Sequence, residues 1–159
     1  MAEMKNPEQA QAVFGQICQT LDAHDWKYQK NEEKLMISCS ARGDDLPMEL
    51  NIRVDAQRSV VVLFSHMPFA IQEDKRLDVA VAITVINNAL ADGCFDYNIA
   101  DGNLYFRMSN SFEDSTLSQA VFAYMLFASC QIIDEYNDKF LMLAKGLISV
   151  QDVLAALNN

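Results

Sequence analysis

The sequence predicts an α+β fold: an antiparallel β-sheet, made of a meander plus a hairpin, packed with helices in the order α-βββ-α-ββ-α-α. Three observations carry that expectation. Residues 35–41, 48–55 and 59–66 alternate apolar and polar side chains, the period of a half-buried strand. Segments 94–99 and 103–108 alternate in the same way on either side of Asp101-Gly102, a strong short-range hairpin signal. Apolar side chains recur at helical spacing over 7–24, 77–90 and 116–145.

The first helix opens on Asn6 as cap and Pro7 in the first turn, with Gln9 placed to reach back, and runs to about His24 along an apolar face of Ala10, Val13, Phe14, Ile17, Cys18 and Leu21. Residues 27–30 have room for a short strand. In 35–41, Leu35, Ile37, Cys39 and Ala41 share one face, opposite Met36, Ser38 and Ser40; Gly43-Asp44-Asp45 then turns the chain. If Asp55 and Arg58 flank the next turn, Val54 faces Ser59, Ile52 faces Val61 and Leu50 faces Leu63 on the core side. The outer side then carries Val60, Val62 and Phe64 beside Arg53, Asn51 and Glu49, more apolar than a solvated face requires.

Glu73 and Asp74 suit the positive end of the second helix, which is apolar nearly all round from 77 to 90 and has Gly93 as a left-handed C-cap. A helix without a polar face is covered on two sides. A type I′ turn at Asp101-Gly102 places Ile99 opposite Leu104, Tyr97 opposite Phe106 and Phe95 opposite Met108 on the buried side, with Asn98 beside Tyr105 and Asp96 beside Arg107 on the other. The last long helix begins near Thr116 or Ser118 and ends at Gly146. Ser149 with Asp152 forms a capping box, and Ile148 with Val153 a staple, for a short helix over 149–157.

At 159 residues and 51% hydrophobic content the chain is expected to form a single domain, 1–159. Twelve basic and twenty-two acidic residues give a net charge of −10, which disfavours nucleic acid and anionic membrane as partners. The first five residues lack the pattern of a signal peptide, and the apolar runs 79–86 and 120–128 fall short of the ~18 residues that a membrane span needs. Cys18, Cys39, Cys94 and Cys130 show neither zinc-ligand nor disulfide-framework spacing, so free thiols in a reducing cytoplasm are expected.

No catalytic, cofactor or metal motif is present. His24 and His66 lie on different elements without a nucleophile or carboxylate at motif spacing. The acidic clusters Asp44-Asp45, Glu113-Asp114 and Asp134-Glu135 with Asp138 match no EF-hand loop and read as solvated turns and a solvated helix face. What core burial does not absorb is the second face of the 77–90 helix, the second face of 120–133 and the outer strip Val60, Val62 and Phe64. Val60, Val62, Phe64, Val79, Ile83 and Ile86 are therefore the candidate protein-interface residues.

The words Asn87-Asn88-Ala89-Leu90, Asp92-Gly93-Cys94-Phe95-Asp96-Tyr97 and 101–107 (Asp-Gly-Asn-Leu-Tyr-Phe-Arg), with this element order, resemble the bacterial YbjN-type domain family, described as candidate regulators of sensory transduction. The resemblance covers about 7–146 and leaves the 149–157 helix outside. It implies a fold similar to type III secretion chaperones, a homodimer, and a chaperone-like capacity to hold another polypeptide; it brings no catalytic residues. The expected function is thus a non-enzymatic, cytoplasmic protein-binding or regulatory domain. The alternative is a small-molecule-sensing or enzymatic domain with a pocket between sheet and helices. No cofactor is expected.

Overall fold

A computed structural model describes residues 7–157, so the expected Asn6 cap lies outside the described residues. The elements follow in the order α1 (Pro7–Ala23), β1 (Tyr28–Asn31), β2 (Met36–Arg42), β3 (Pro47–Asp55), β4 (Val60–His66), α2 (Arg76–Ala89), β5 (Cys94–Asn98), β6 (Asn103–Ser111), α3 (Gln119–Ala144) and α4 (Val150–Leu157). A single 3₁₀ turn, Glu73–Lys75, leads into α2. The strands form one six-stranded antiparallel sheet in the order β1-β2-β3-β4-β6-β5. The expected α+β architecture is therefore observed, with β1 as an added edge strand.

The strand period of two sets the layers. Ile37, Cys39, Leu50, Ile52, Val61, Leu63, Phe95, Leu104, Phe106 and Met108 all point to the face covered by α1 and α3. Phe95 anchors one end of this core, edge-on to Phe106, Tyr136 and Phe140 at 5.2, 5.9 and 4.9 Å. α2 lies against β5 and α3, and α4 packs on α2. Gln9 ties α1 to the loop before α3 by donating to the Phe112 carbonyl at 2.9 Å and to that of Ser115.

Helix ends follow the sequence closely in the C-terminal third. The Ser118 hydroxyl accepts from the Val121 amide at 3.2 Å to cap α3. At its other end Gly146 (φ 70°) closes a Schellman motif, its amide bonding Leu143 at 3.0 Å while that of Leu147 bonds Met142 at 2.9 Å. The Ser149–Asp152 capping box opens α4, with Ser149 N–H to Asp152 Oδ2 at 2.7 Å and Asp152 N–H to Ser149 Oγ at 3.2 Å.

Both expected hairpin registers are displaced by two residues. Phe95 pairs with Phe106 and Tyr97 with Leu104, and Val54 pairs with Val61 and Ile52 with Leu63. The reason is loop length. All four hairpins use four-residue loops, and three of them, 32–35, 56–59 and 99–102, end on a left-handed residue: Leu35 (φ 50°), Ser59 (φ 53°) and Gly102 (φ 78°). These three loops are also preceded by an Asn or Asp whose side-chain oxygen accepts from a loop amide: Asn31 from Lys34 at 2.9 Å, Asp55 from Arg58 at 3.1 Å, Asn98 from Ala100 at 3.1 Å. A type I′ turn needs positive φ at both central residues, and Asp101 does not have it. A two-residue slip preserves faces, so the buried and outward sets survive, except that Ile99 and Leu35 leave their strands for the loops and Ile99 is exposed.

Gly93 is not the cap of α2 either. Leu90 ends that helix in extended geometry, and Gly93 (φ 69°) sits in the following loop, where a Cβ would lie 2.4 Å from Phe106 Cζ.

Candidate protein-binding surfaces

Because helices cover one face of the sheet, the other presents whole cross-strand rows outward. One runs Ser38, Asn51, Phe64, Arg107, Cys94; the next runs Met36, Arg53, Val62, Ser109; Val60 lies between Asp55 and Ser111. Val60, Val62 and Phe64 thus form a half-buried apolar strip down the central strand β4. The row beyond Phe64 is His66, Tyr105 and Asp96, and the strip continues there as rings: Phe64 to His66 at 5.9 Å and His66 to Tyr105 at 5.2 Å.

Within its strands the same face carries Arg42, Arg53 and Arg107 against Glu49, Asp55 and Asp96, three charges of each sign, with Lys27 added where the chain enters β1. Asp96 binds the Arg107 guanidinium, one of the two contacts being 3.3 Å, as a diagonal pair rather than directly cross-strand as the sequence suggested. The sheet face is therefore electrically balanced in a chain of net charge −10, and the acidic excess sits elsewhere. Part of it lines a surface hollow of Asp44, Asp45, Asp134, Glu135 and Asp138. Asp134 is used structurally there, accepting from the Asp44 amide at 3.0 Å. Among the described residues no group of three or more His, Cys, Asp or Glu is arranged to hold a metal.

α2 divides its apolar residues between two sides. Val79, Ile83 and Ile86, expected at an interface, are instead in the core with Ala82, because three- and four-residue spacing turns them toward the sheet and α3. The residues left outside are Leu77, 73% exposed, and Val81, 49% exposed, one turn apart. Sequence reasoning identified the two-sided helix but assigned its faces the wrong way round. The outward stripe of α3 is Val121, Tyr124 and Phe127; the Tyr124 hydroxyl donates to Asp92, and Phe127 meets the His24 ring edge-on at 5.1 Å.

Groups with chemical potential are few and dispersed. His24 lies on the helical side and His66 on the outward sheet face. Cys94 Sγ is 3.5 Å from both Asp96 and Arg107, and burial, then Asp96, pushes its thiol up against the opposing effect of Arg107, which keeps it protonated. A hollow of about 520 Å³ is lined by Lys27, Gln29, Ser38, Ser40, Glu49 and Asn51. It lies on the outward side of β1–β3, not between sheet and helices where the small-molecule alternative placed it. No helix among the described residues is long and apolar enough to cross a membrane.

No protein-family model and no curated protein matches the chain. Solved structures do. YbjN from E. coli, described as a proposed transcription regulator, superposes with a TM-score of 0.57 at 14% identity, over 79% of this chain and 92% of that one. A chain of the HopA1-SchA chaperone-effector complex superposes with a TM-score of 0.53 at 13% identity, over 85% of this chain and 98% of that one. At such identities the likeness is one of fold, and the fold is the YbjN-like, type III secretion chaperone-like α+β arrangement that the sequence resembles.

Proposed function

We propose that the protein is a non-enzymatic, chaperone-like binding module of the cytoplasm, built as one domain, that acts as a homodimer and holds a partner polypeptide. The observation that carries this reading is apolar surface left open on two sides of one well-filled core: Leu77 and Val81 on α2, and Val60, Val62 and Phe64 on the sheet. Isolated exposed apolar residues are ordinary, whereas a contiguous set on a regular element is a contact surface. The α2 side has the greater exposure per residue and is assigned to the dimer. The balanced sheet face accommodates an uncharged, apolar stretch of a partner without like-charge repulsion.

The reading extends the fold likeness to a chaperone complex, and the dispersal of acid, base and nucleophile candidates among the described residues supports a binding role over a catalytic one. Two measurements test it. Light scattering at tens of micromolar is expected to give twice 17.9 kDa, falling to one copy in Leu77→Asp; a monomeric wild type refutes the dimer. Reduced and carboxymethylated α-lactalbumin, a permanently unfolded chain, is expected to bind; a wild type that retains none of it refutes the holding function.

A further inference from the structure

The outward side of the first half of α3 is uncharged and mostly apolar. Tyr124 and Phe127 stand 55% and 46% exposed on it, each one turn beyond a small side chain, Ala120 and Ala123 respectively. Two raised rings beside low ground make a seat for the apolar side chains of another segment. Each ring is steadied from one flank. The Tyr124 hydroxyl donates to Asp92 in the loop before β5, and Phe127 meets the ring of His24, just past the end of α1, at 5.1 Å. α1 lies alongside, with Gln119 Nε2 donating to Gln19 Oε1 at 3.2 Å.

The charge around this seat has one sign. Segments 7–25, 90–93 and 119–133 carry Glu8, Asp22, Asp25 and Asp92 and no Lys or Arg. All four carboxylates are exposed. Asp22 and Asp25 bracket His24 in the chain, and Asp92 touches Tyr124. Lys27, the next base along the chain, lines the hollow on the outward face of the sheet, away from the helices. Aromatic faces attract cations as carboxylates do, so Tyr124 beside Asp92 favours a Lys or Arg on both counts.

We propose that this face of α3, flanked by α1, docks a basic amphipathic helix of a partner polypeptide. The charge selects against a second copy, since two such faces would bring carboxylate to carboxylate with no cation from either. Anionic membrane and nucleic acid meet the same repulsion. The backbone selects a helix over an extended segment. α1 and α3 bond their own backbone groups internally and offer no sheet edge here, so the occupant must satisfy its own, as a helix does. This contact is separate from the α2 and sheet-face contacts proposed above and stands whether or not those exist.

The test is calorimetric titration with melittin, a basic amphipathic helix, and with an analogue carrying Gln in place of each Lys and Arg. The wild type is expected to bind melittin saturably, more weakly as sodium chloride is raised, and not to bind the analogue at the same concentrations. Tyr124→Ala combined with Phe127→Ala is expected to weaken binding by at least about tenfold, and Val62→Asp, on the sheet face, to leave it unchanged. Asp25→Asn combined with Asp92→Asn keeps both shapes, and Asn tolerates the left-handed backbone of residue 25 (φ 58°); it is expected to weaken binding at low salt and match the wild type at high salt. Circular dichroism checks the fold of each variant. A wild type that does not bind melittin, undiminished binding by the folded Tyr124/Phe127 variant, or equal binding of the uncharged analogue overturns the proposal. Should the Tyr124/Phe127 variant fail to fold, the Asp25/Asp92 variant decides: weaker binding at low salt supports the seat, and wild-type binding at low salt overturns it.

Discussion

Gly102 has no room for a side chain: a Cβ there would lie 2.2 Å from the Ile71 carbonyl oxygen, and its φ is 78°. Gly102→Ala is expected to cost about 1–2 kcal/mol from the backbone alone, and more from the clash, measurable by urea unfolding. Phe106, fully buried and edge-on to Phe95, is expected to cost about 3–5 kcal/mol on replacement by Ala. Burial pushes the Cys39 thiol from 9.0 up to about 12, with Cys130 adding to the effect. The folded state therefore holds this proton more tightly than the unfolded one, and stability falls as pH rises through 9 toward 12. Cys39→Ala is expected to flatten that slope in unfolding curves taken between pH 8 and pH 10.5. At this scale the sequence was informative about inside and outside, because parity along a strand needs only alternation. It did not reveal that Asn87 bonds a backbone unit eight residues on, and it foresaw the left-handed Gly93 but took it for a helix cap, where its reason is the ring of Phe106.

Elements were legible in type and order, less so in how they meet. Alternation assigns each strand its two faces, but register depends on the loop, and a shift of two residues leaves the hydrophobic pattern intact. Asp101-Gly102 was compatible with a two-residue turn. The Asn or Asp placed just before three of the four hairpin loops was the overlooked signal, since it recurs at Asn31, Asp55 and Asn98. α2 was misassigned for a related reason: an apolar helix with a weak polar side does not reveal from periodicity which face the core takes. Caps were easier, because they depend only on neighbours within a turn. Asp152 shows the effect on titration, its carboxyl held below the usual 3.8 by the Ser149 amide and hydroxyl. A depressed folded pKa adds stability above 3.8 that is lost as pH falls through the folded value. α4 is accordingly expected to fray at its start in acid, seen as faster amide exchange over 150–157 below pH 4, and Asp152→Asn is expected to remove that pH dependence.

The whole molecule is asymmetric in charge and in apolar surface. One sheet face is balanced and carries a central apolar strip, while the acidic excess lies on other surfaces, including the α3 hollow. That distribution orients an encounter: an acidic partner polypeptide is repelled through the acidic surfaces and least through the sheet. Composition gave the net charge, but its distribution required the registers. The most direct measurement of the binding role is a titration of fluorescently labelled, reduced and carboxymethylated α-lactalbumin into the wild type and Val62→Asp, with circular dichroism and light scattering on both. The expected result is saturable binding by the wild type that is lost in Val62→Asp, with fold and particle mass unchanged. Undiminished binding by a folded Val62→Asp would contradict the assignment of the sheet face as the surface that holds a polypeptide.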